Sequence, residues 1–215
     1  MIPTLQLQNS PRILIINHYL YDKESKIEKL EKAIRNLSEQ KFSIHTLPFQ
    51  DLSESNLAFA DGLILSGRDS RGKDSSAKKN LVGLYANEKK LLDAFPGPVL
   101  GICFGSQILS QSHGERLVSI GKHKGWSMVQ LSKKSVDPML FGLPDEFQVF
   151  EAHTLAIRQP PLNFVVLAQT IEGEAQLIRH IVLPHYGAQF HPESDSEKEN
   201  AGALLLANFL KMTQN

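Results

Sequence analysis

The chain has 215 residues, with 23 lysines and arginines balanced against 23 aspartates and glutamates. That balance offers no global basic field for nucleic acid or an anionic membrane, and no apolar run approaches the roughly 20 residues of a membrane span. Hydrophobic residues make up 41%, enough to pack one domain over 1–215 and too many for a disordered chain. The single cysteine, Cys103, has no partner for an intramolecular disulfide and fits a reducing compartment. Met1 to Pro11 lacks a charged region followed by an apolar core, so it does not read as a signal peptide. The expectation is a cytoplasmic α/β protein.

In chain order, Arg12 to Asn17 is a continuous apolar run ending in a polar residue, as a parallel strand buried on both faces reads. It ends in a short loop, Asn17-His18-Tyr19, in which His18 reads either as a residue lining the site or, as the commoner case, as a loop residue at the sheet's edge. Glu24 to Gln40 carries a helical stripe of Ile27, Leu30, Ala33, Ile34 and Leu37 opposite a charged, solvated face. Phe42 to Leu47 alternates as a second strand, which completes a βαβ start. Gly62 to Ser66 is the next buried strand. The polar run from Arg68 to Lys79 then reads as a mobile surface loop. Ala86 to Ala94 is a helix stopped by Pro96-Gly97-Pro98.

Val99 to Ile102 is short, apolar and strand-like, and the chain then turns at Cys103 between Gly101 and Gly105. Ser106 to Ser110 opens a helix. Gly-x-Cys-x-Gly between a strand and a helix is an elbow of the kind that presents a nucleophile at its tip, and the glycines relieve crowding beside it. A thiol at a helix N-terminus is favoured as thiolate. The elbow alone is also compatible with a small buried hydrophobe, the commoner role of a lone cysteine.

His113-Gly114 reads as a helix stop. Leu117 onward leads into Gly121-Lys122-His123-Lys124-Gly125-Trp126 and an alternating strand. Phe141 to Asp145 is a turn, and Phe147 to Ala152 a strand leading to His153-Thr154. Val165 to Gln169, Ala175 to Ile178 and Ile181 to His185 read as a small antiparallel meander, and Asn200 to Met212 as a closing helix. Between them lies Pro184-His185-Tyr186-Gly187-Ala188-Gln189-Phe190-His191-Pro192-Glu193. A cysteine nucleophile needs a base and a group that orients the base. His191 and Glu193 supply both at an i, i+2 spacing, which on an extended segment points both side chains the same way.

Gly-Ile-Cys-Phe-Gly-x-Gln together with Tyr-Gly-x-Gln-Phe-His-Pro-Glu resembles the class I, triad-type glutamine amidotransferases. The resemblance implies a three-layer α/β fold of flavodoxin-like type, with a mostly parallel central sheet flanked by helices. It implies a catalytic triad of Cys103, His191 and Glu193. It further implies an oxyanion hole from backbone N–H groups of Gly67 and Phe104, and glutamine contacts from Gln107, His153 and Thr154, the last two in a loop. Where the family has Ser-Gly-Gly-Pro this chain has Ser66-Gly67-Arg68-Asp69, so a preformed oxyanion hole becomes a question for the structure. Arg68 itself is either a solvated loop residue or a contact to an acidic group. Gly-x-x-x-Gly-Trp points to the branch related to GMP synthetase glutaminases, in which a glutamate commonly stands where His123 is.

The implied reaction is hydrolysis of the glutamine side-chain amide, feeding ammonia to a separate ATP-dependent synthetase. There is no Gly-x-x-x-x-Gly-Lys-Ser/Thr phosphate loop, so ATP chemistry would belong to another chain. The histidines do not fall at zinc spacing, and neither metal nor cofactor is expected. Two alternatives share these residues: a γ-glutamyl peptide hydrolase, and a catalytically silent regulatory protein that kept the fold.

Overall fold

The computed structural model describes residues 10–20, 23–37, 42–69, 85–114, 117–132, 136–157, 159–194 and 200–214. The expectations for most of Met1 to Pro11, for 38–40 at the end of the first helix and for 70–79 in the polar loop lie outside these residues. The strands are β1 (Arg12–Asn17), β2 (Ser43–Pro48), β3 (Gly62–Leu65), β4 (Val99–Ile102), β5 (Val118–Leu131), β6 (Glu146–Ala156), β7 (Phe164–Thr170), β8 (Ala175–His180) and β9 (His185–Ala188). Among the described residues they form one nine-stranded sheet in the order β2-β1-β3-β4-β9-β8-β7-β5-β6. The helices are α1 (Lys23–Leu37), the single turn α2 (Glu54–Leu57), α3 (Ala86–Ala94), α4 (Phe104–Ser112) and α5 (Ala201–Met212).

The continuous apolar runs read from the sequence become the strands buried on both faces. β3, β4 and β9 are buried at every position. Ile13, Ile15, Ile64, Leu100 and Ile102 share a core with Leu30 and Ile34 of α1 and Leu205, Leu206 and Phe209 of α5. The alternate residues Leu14, Ile16, Leu63, Leu65 and Val99 pack with Leu91 and Leu92 of α3 and Leu109 of α4. Helices therefore cover both faces of this half, as a parallel sheet requires. Asn200 caps α5, its side chain accepting the Ala203 N–H at 3.0 Å.

The fold is α/β, with a large curled mixed sheet flanked by helices, and it corrects the expectation of a mostly parallel sheet with a small meander. β2, β1, β3, β4 and β9 pair in parallel, but β9-β8-β7-β5-β6 pair antiparallel, so the two kinds of pairing are equally represented. The excess comes from the lengths of β5, 14 residues, and β6, 11 residues. Gly121 takes a left-handed φ of 79° inside β5 and bends the strand without ending it. His153-Thr154 lies within β6, not in a loop beyond it.

The expected strand Ile181 to His185 is also corrected. Residues 181–184 are the hairpin between β8 and β9. His180 Nδ1 accepts the N–H groups of Val182 and Leu183 at 3.2 and 2.9 Å, satisfying donors that a ladder would otherwise take. Among the described residues no helix is long and apolar enough to cross a membrane.

Candidate active site

Cys103 stands between β4 and α4 with φ 50° and ψ −97°, and is the only non-glycine residue of positive φ among those described. Such strain persists only where the surroundings over-determine it. Here the Cys103 N–H donates to Ala188 O of β9 at 2.7 Å, and its carbonyl accepts Gln107 N–H at 3.1 Å. Both flanking glycines are required by close approach. A Cβ on Gly105 would lie 2.4 Å from Leu65 O, and one on Gly101 would lie 2.6 Å from the backbone of Gly105. The first turn of α4 is thereby pressed against β3 and β4. Phe104 opens α4 directly after Cys103, so its N–H has no intrahelical acceptor and belongs to the positive end of the helix.

The sequence separates Cys103 from His191 by most of the antiparallel half, and the sheet order returns them to adjacent strand ends, because β9 lies beside β4. His191 follows β9 and its N–H donates to Phe150 O of β6 at 2.8 Å. Its Nδ1 is 2.7 Å from Glu193 Oε1, which leaves Nε2 for a reaction partner. The pair does not meet on an extended segment, as the spacing suggested. Pro192–Ser194 is a 3₁₀ turn, closed by Ser194 N–H on His191 O at 3.0 Å. Proline is tolerated at the start of such a turn because its missing N–H would have had no intrahelical acceptor there.

Electrostatics couple the three groups. Burial pulls the His191 pKa down, but the negative charges of Glu193 and Cys103 and hydrogen bonds to both hold it well above its ordinary value. Burial pushes Glu193 up, and the charge and hydrogen bond of His191 bring it below the usual carboxylate range. The site therefore favours the imidazolium of His191 against the carboxylate of Glu193. Tyr19 lies in the same cluster. Burial first, then the charges of Glu193, Cys103 and Asp69, raise its phenol far above the ordinary value.

The loop after β3 is tied down at each residue. His18 N–H donates to Ser66 Oγ at 2.9 Å, and Ser66 Oγ donates to Gly67 O at 2.9 Å. Leu20 N–H donates to Asp69 Oδ1 at 3.0 Å. Arg68 is neither simply solvated nor reaching outward: it donates to Tyr85 OH at 2.8 Å, and its guanidinium lies 5.2 Å from the Phe104 ring centroid. Gly67 abuts the corner held by Tyr19 and His191, since a Cβ there would lie 2.8 Å from Tyr19 OH and 3.0 Å from His191 Cε1. His18 is corrected from an edge loop residue to a fully buried one, paired with Glu88 of α3 at 2.9 Å and caged by Phe49, Tyr85 and Phe104.

The remaining sequence candidates fall on or against β6. Gln107 is buried, and its Nε2 donates to Leu155 O at 3.0 Å and to Gln189 Oε1 at 3.3 Å. His153 is turned inward, with Nε2 hydrogen-bonded to Glu151 and Nδ1 to Leu155 O, while Thr154 is exposed. The sequence reading missed Gln189, whose Nε2 lies 3.8 Å from Cys103 Sγ, and the Ala152 carbonyl, 3.9 Å from the same sulfur. Gln189 stood inside a quoted motif, so a signal for it existed; a backbone carbonyl leaves none. Tyr19 was marked only by its place after a parallel strand, where α/β sheets place their ligands.

A thiol on a strained strand–helix elbow beside an imidazole–carboxylate pair is the arrangement of a thiol-dependent α/β hydrolase. The family model of class-I glutamine amidotransferases matches residues 20–212, and the chain belongs to that family. Among curated relatives, the A subunit of glutamine-hydrolyzing GMP synthase from Methanosarcina barkeri is 31% identical over 205 residues, 94% of this chain and 97% of the relative. The corresponding chain of Pyrococcus abyssi is 30% identical over 187 residues, 86% and 92% of the two chains. Among solved structures, a protein of Thermoplasma acidophilum described as a GMP synthase A subunit superposes with a TM-score of 0.76 at 25% identity, covering 95% of this chain and 94% of the other.

Proposed function

We propose that this chain, as a single domain over 1–215, hydrolyses the side-chain amide of glutamine through a Cys103 γ-glutamyl thioester and supplies the ammonia to a separate ATP-dependent synthetase. The GMP synthase names of the relatives support a GMP-forming partner. The lone free thiol supports action in the cytoplasm. The observation that carries the reading is the His191–Glu193 contact at 2.7 Å on the strand end beside the Cys103 elbow.

In this mechanism His191 Nε2 takes the Cys103 proton and Glu193 holds the imidazole through Nδ1–H. Sulfur adds to the amide carbon, and the oxyanion is met by the N–H groups of Phe104 and Gly67, each such donor worth typically about 2.7–4 kcal/mol. The tetrahedral adduct collapses as its C–N bond breaks, and His191 gives its proton to the departing nitrogen, releasing ammonia. Water, deprotonated by His191, adds to the thioester. The C–S bond then breaks and glutamate leaves with Cys103 restored. Gln107 offers glutamine only its carbonyl oxygen, because both amide hydrogens are committed inside the protein. His153 and Thr154 are proposed to bound the main-chain end of the substrate.

The test is ammonia release from glutamine by the full chain, alone and with an ATP-pyrophosphatase-type synthetase, against γ-glutamyl dipeptides as competing substrates. Turnover of glutamine that disappears in Cys103→Ala is the expected result. Preferential turnover of the dipeptides would establish the peptide-hydrolase alternative, and inertness toward both substrates under all conditions would establish the silent one.

A further inference from the structure

Among the described residues, Cys103 Sγ has two hydrogen-bond contacts besides that with the imidazole, and they are of opposite kinds. Ala152 O, at 3.9 Å, can only accept, so it serves a thiol and opposes a thiolate. Gln189 Nε2, at 3.8 Å, can only donate, so it serves a thiolate. Which atom of the Gln189 amide faces sulfur follows from hydrogen-bond logic. Leu155 O accepts only, so the Gln107 atom 3.0 Å away is the nitrogen. That nitrogen spends its second hydrogen on the nearer Gln189 atom at 3.3 Å, which must therefore be oxygen. The remaining Gln189 atom, turned to Cys103, is the NH₂ group. Gln189 and Gln107 are 1% and 4% exposed, and Gln189 N–H is held by Gln176 O at 2.9 Å. Solvent therefore does not compete for the orientation.

We infer that Gln189 is a fixed hydrogen-bond donor to the Cys103 thiolate, held in that orientation by Gln107. The inference rests on Cys103 being the nucleophile, and it adds a third stabilising element to the imidazolium and the helix terminus. Because Gln189 touches sulfur, its loss acts on thiolate formation and on turnover, not on substrate affinity.

The experiment follows alkylation of the full chain by iodoacetamide across pH, read by intact mass, alongside glutaminase kinetics and thermal melting. Alkylation needs a thiolate but no oxyanion hole and no glutamine. Gln189→Glu replaces the donor by an acceptor of the same shape. The pH midpoint of alkylation is expected to rise by about one unit or more, and kcat to fall roughly tenfold to a hundredfold, with KM within about twofold. Gln189→Met removes the donor at similar volume and is expected to act in the same direction; it carries the test if the charged variant does not fold. Gln107→Met frees the Gln189 amide and is expected to give a smaller shift of the same sign. Folded Gln189 variants with the wild-type midpoint would overturn the inference, as would a lowered melting temperature with no shift in midpoint. A midpoint that moves in a protein inert toward glutamine would uphold the donor role and overturn the amide-hydrolysis reading instead.

Discussion

The parallel and antiparallel halves of the sheet contribute to the site in different ways. The parallel half places the groups proposed to react at its strand ends: the side chains of Cys103 after β4 and of His191 and Glu193 after β9, and the backbone of Gly67 after β3. The antiparallel half supplies main-chain carbonyls. Phe150 O holds His191, Ala152 O faces sulfur and Leu155 O anchors Gln107. The difference follows from position. Parallel strands are covered on both faces, so their side chains are used up in packing and only their ends reach the cleft. β6 is an edge strand, and its unpaired backbone groups need partners. His191, Cys103 and Gln107 provide them, and the same contacts close the curled sheet onto the Cys103–His191 corner.

If reactivity belongs to the parallel strand ends, Cys103→Ala should remove glutamine hydrolysis by at least about a thousandfold, with the melting temperature little changed. Glu193→Gln should lower kcat by roughly 10²–10⁴, since the amide can no longer stabilise the imidazolium. Glu193 and Cys103 hold the His191 pKa well above its ordinary value against the pull of burial, so the alkaline fall in wild-type activity, as the imidazolium loses its proton, should lie at higher pH than for an ordinary histidine. The acid form of Glu193 is disfavoured by His191, so its contribution is present above the ordinary carboxylate pKa and lost as pH falls below it. Gly105→Ala tests the elbow's packing: the added Cβ meets backbone of β3, and a loss of about 3 kcal/mol is expected in chemical denaturation.

The seam between the halves should yield next. His113, His180 and His185 gather at the β8–β9 hairpin near Asp93 and Lys89 of α3 and Arg179 of β8. Burial lowers the pKa of all three, that of His185 to about 4. A lowered folded pKa means the unfolded chain binds more protons, so their stability is present above about pH 6.5 and lost as pH falls toward 4. Denaturation midpoints taken across that window should drop, and His185→Gln, which keeps a donor for Phe95 O, should flatten the slope by about 2 kcal/mol in total. The smallest effect is expected on the outer antiparallel face. Trp126, 53% exposed, should be replaceable by alanine within about 0.5 kcal/mol of stability and without loss of unaided glutamine turnover.

Much of this was legible in the residues. β1, β3 and β4 are short unbroken apolar runs, and such runs have few ways to be buried. The elbow is legible because two glycines around one cysteine are a local demand, and the close approach of Leu65 and Gly105 bears that out. The extent of β5 and β6 was not legible. Gly121 and the polar His153-Thr154 look like punctuation locally, yet cross-strand pairing carries the strands through them. His18 was misread for a related reason: its burial depends on Glu88, 70 residues away, and no periodicity carries that information.

The sequence by itself determined the family, the strand–turn–helix around Cys103 and the adjacency of His191 to Glu193, since each depends on residues close together in the chain. Only the tertiary structure decided that β9 lies beside β4 and so brings His191 to the sulfur. It alone decided that the edge of β6 lends carbonyls to the cleft, and that Arg68 folds onto Tyr85 and Phe104. These depend on long-range strand order and on where buried polar groups find partners, which are settled when the whole sheet closes.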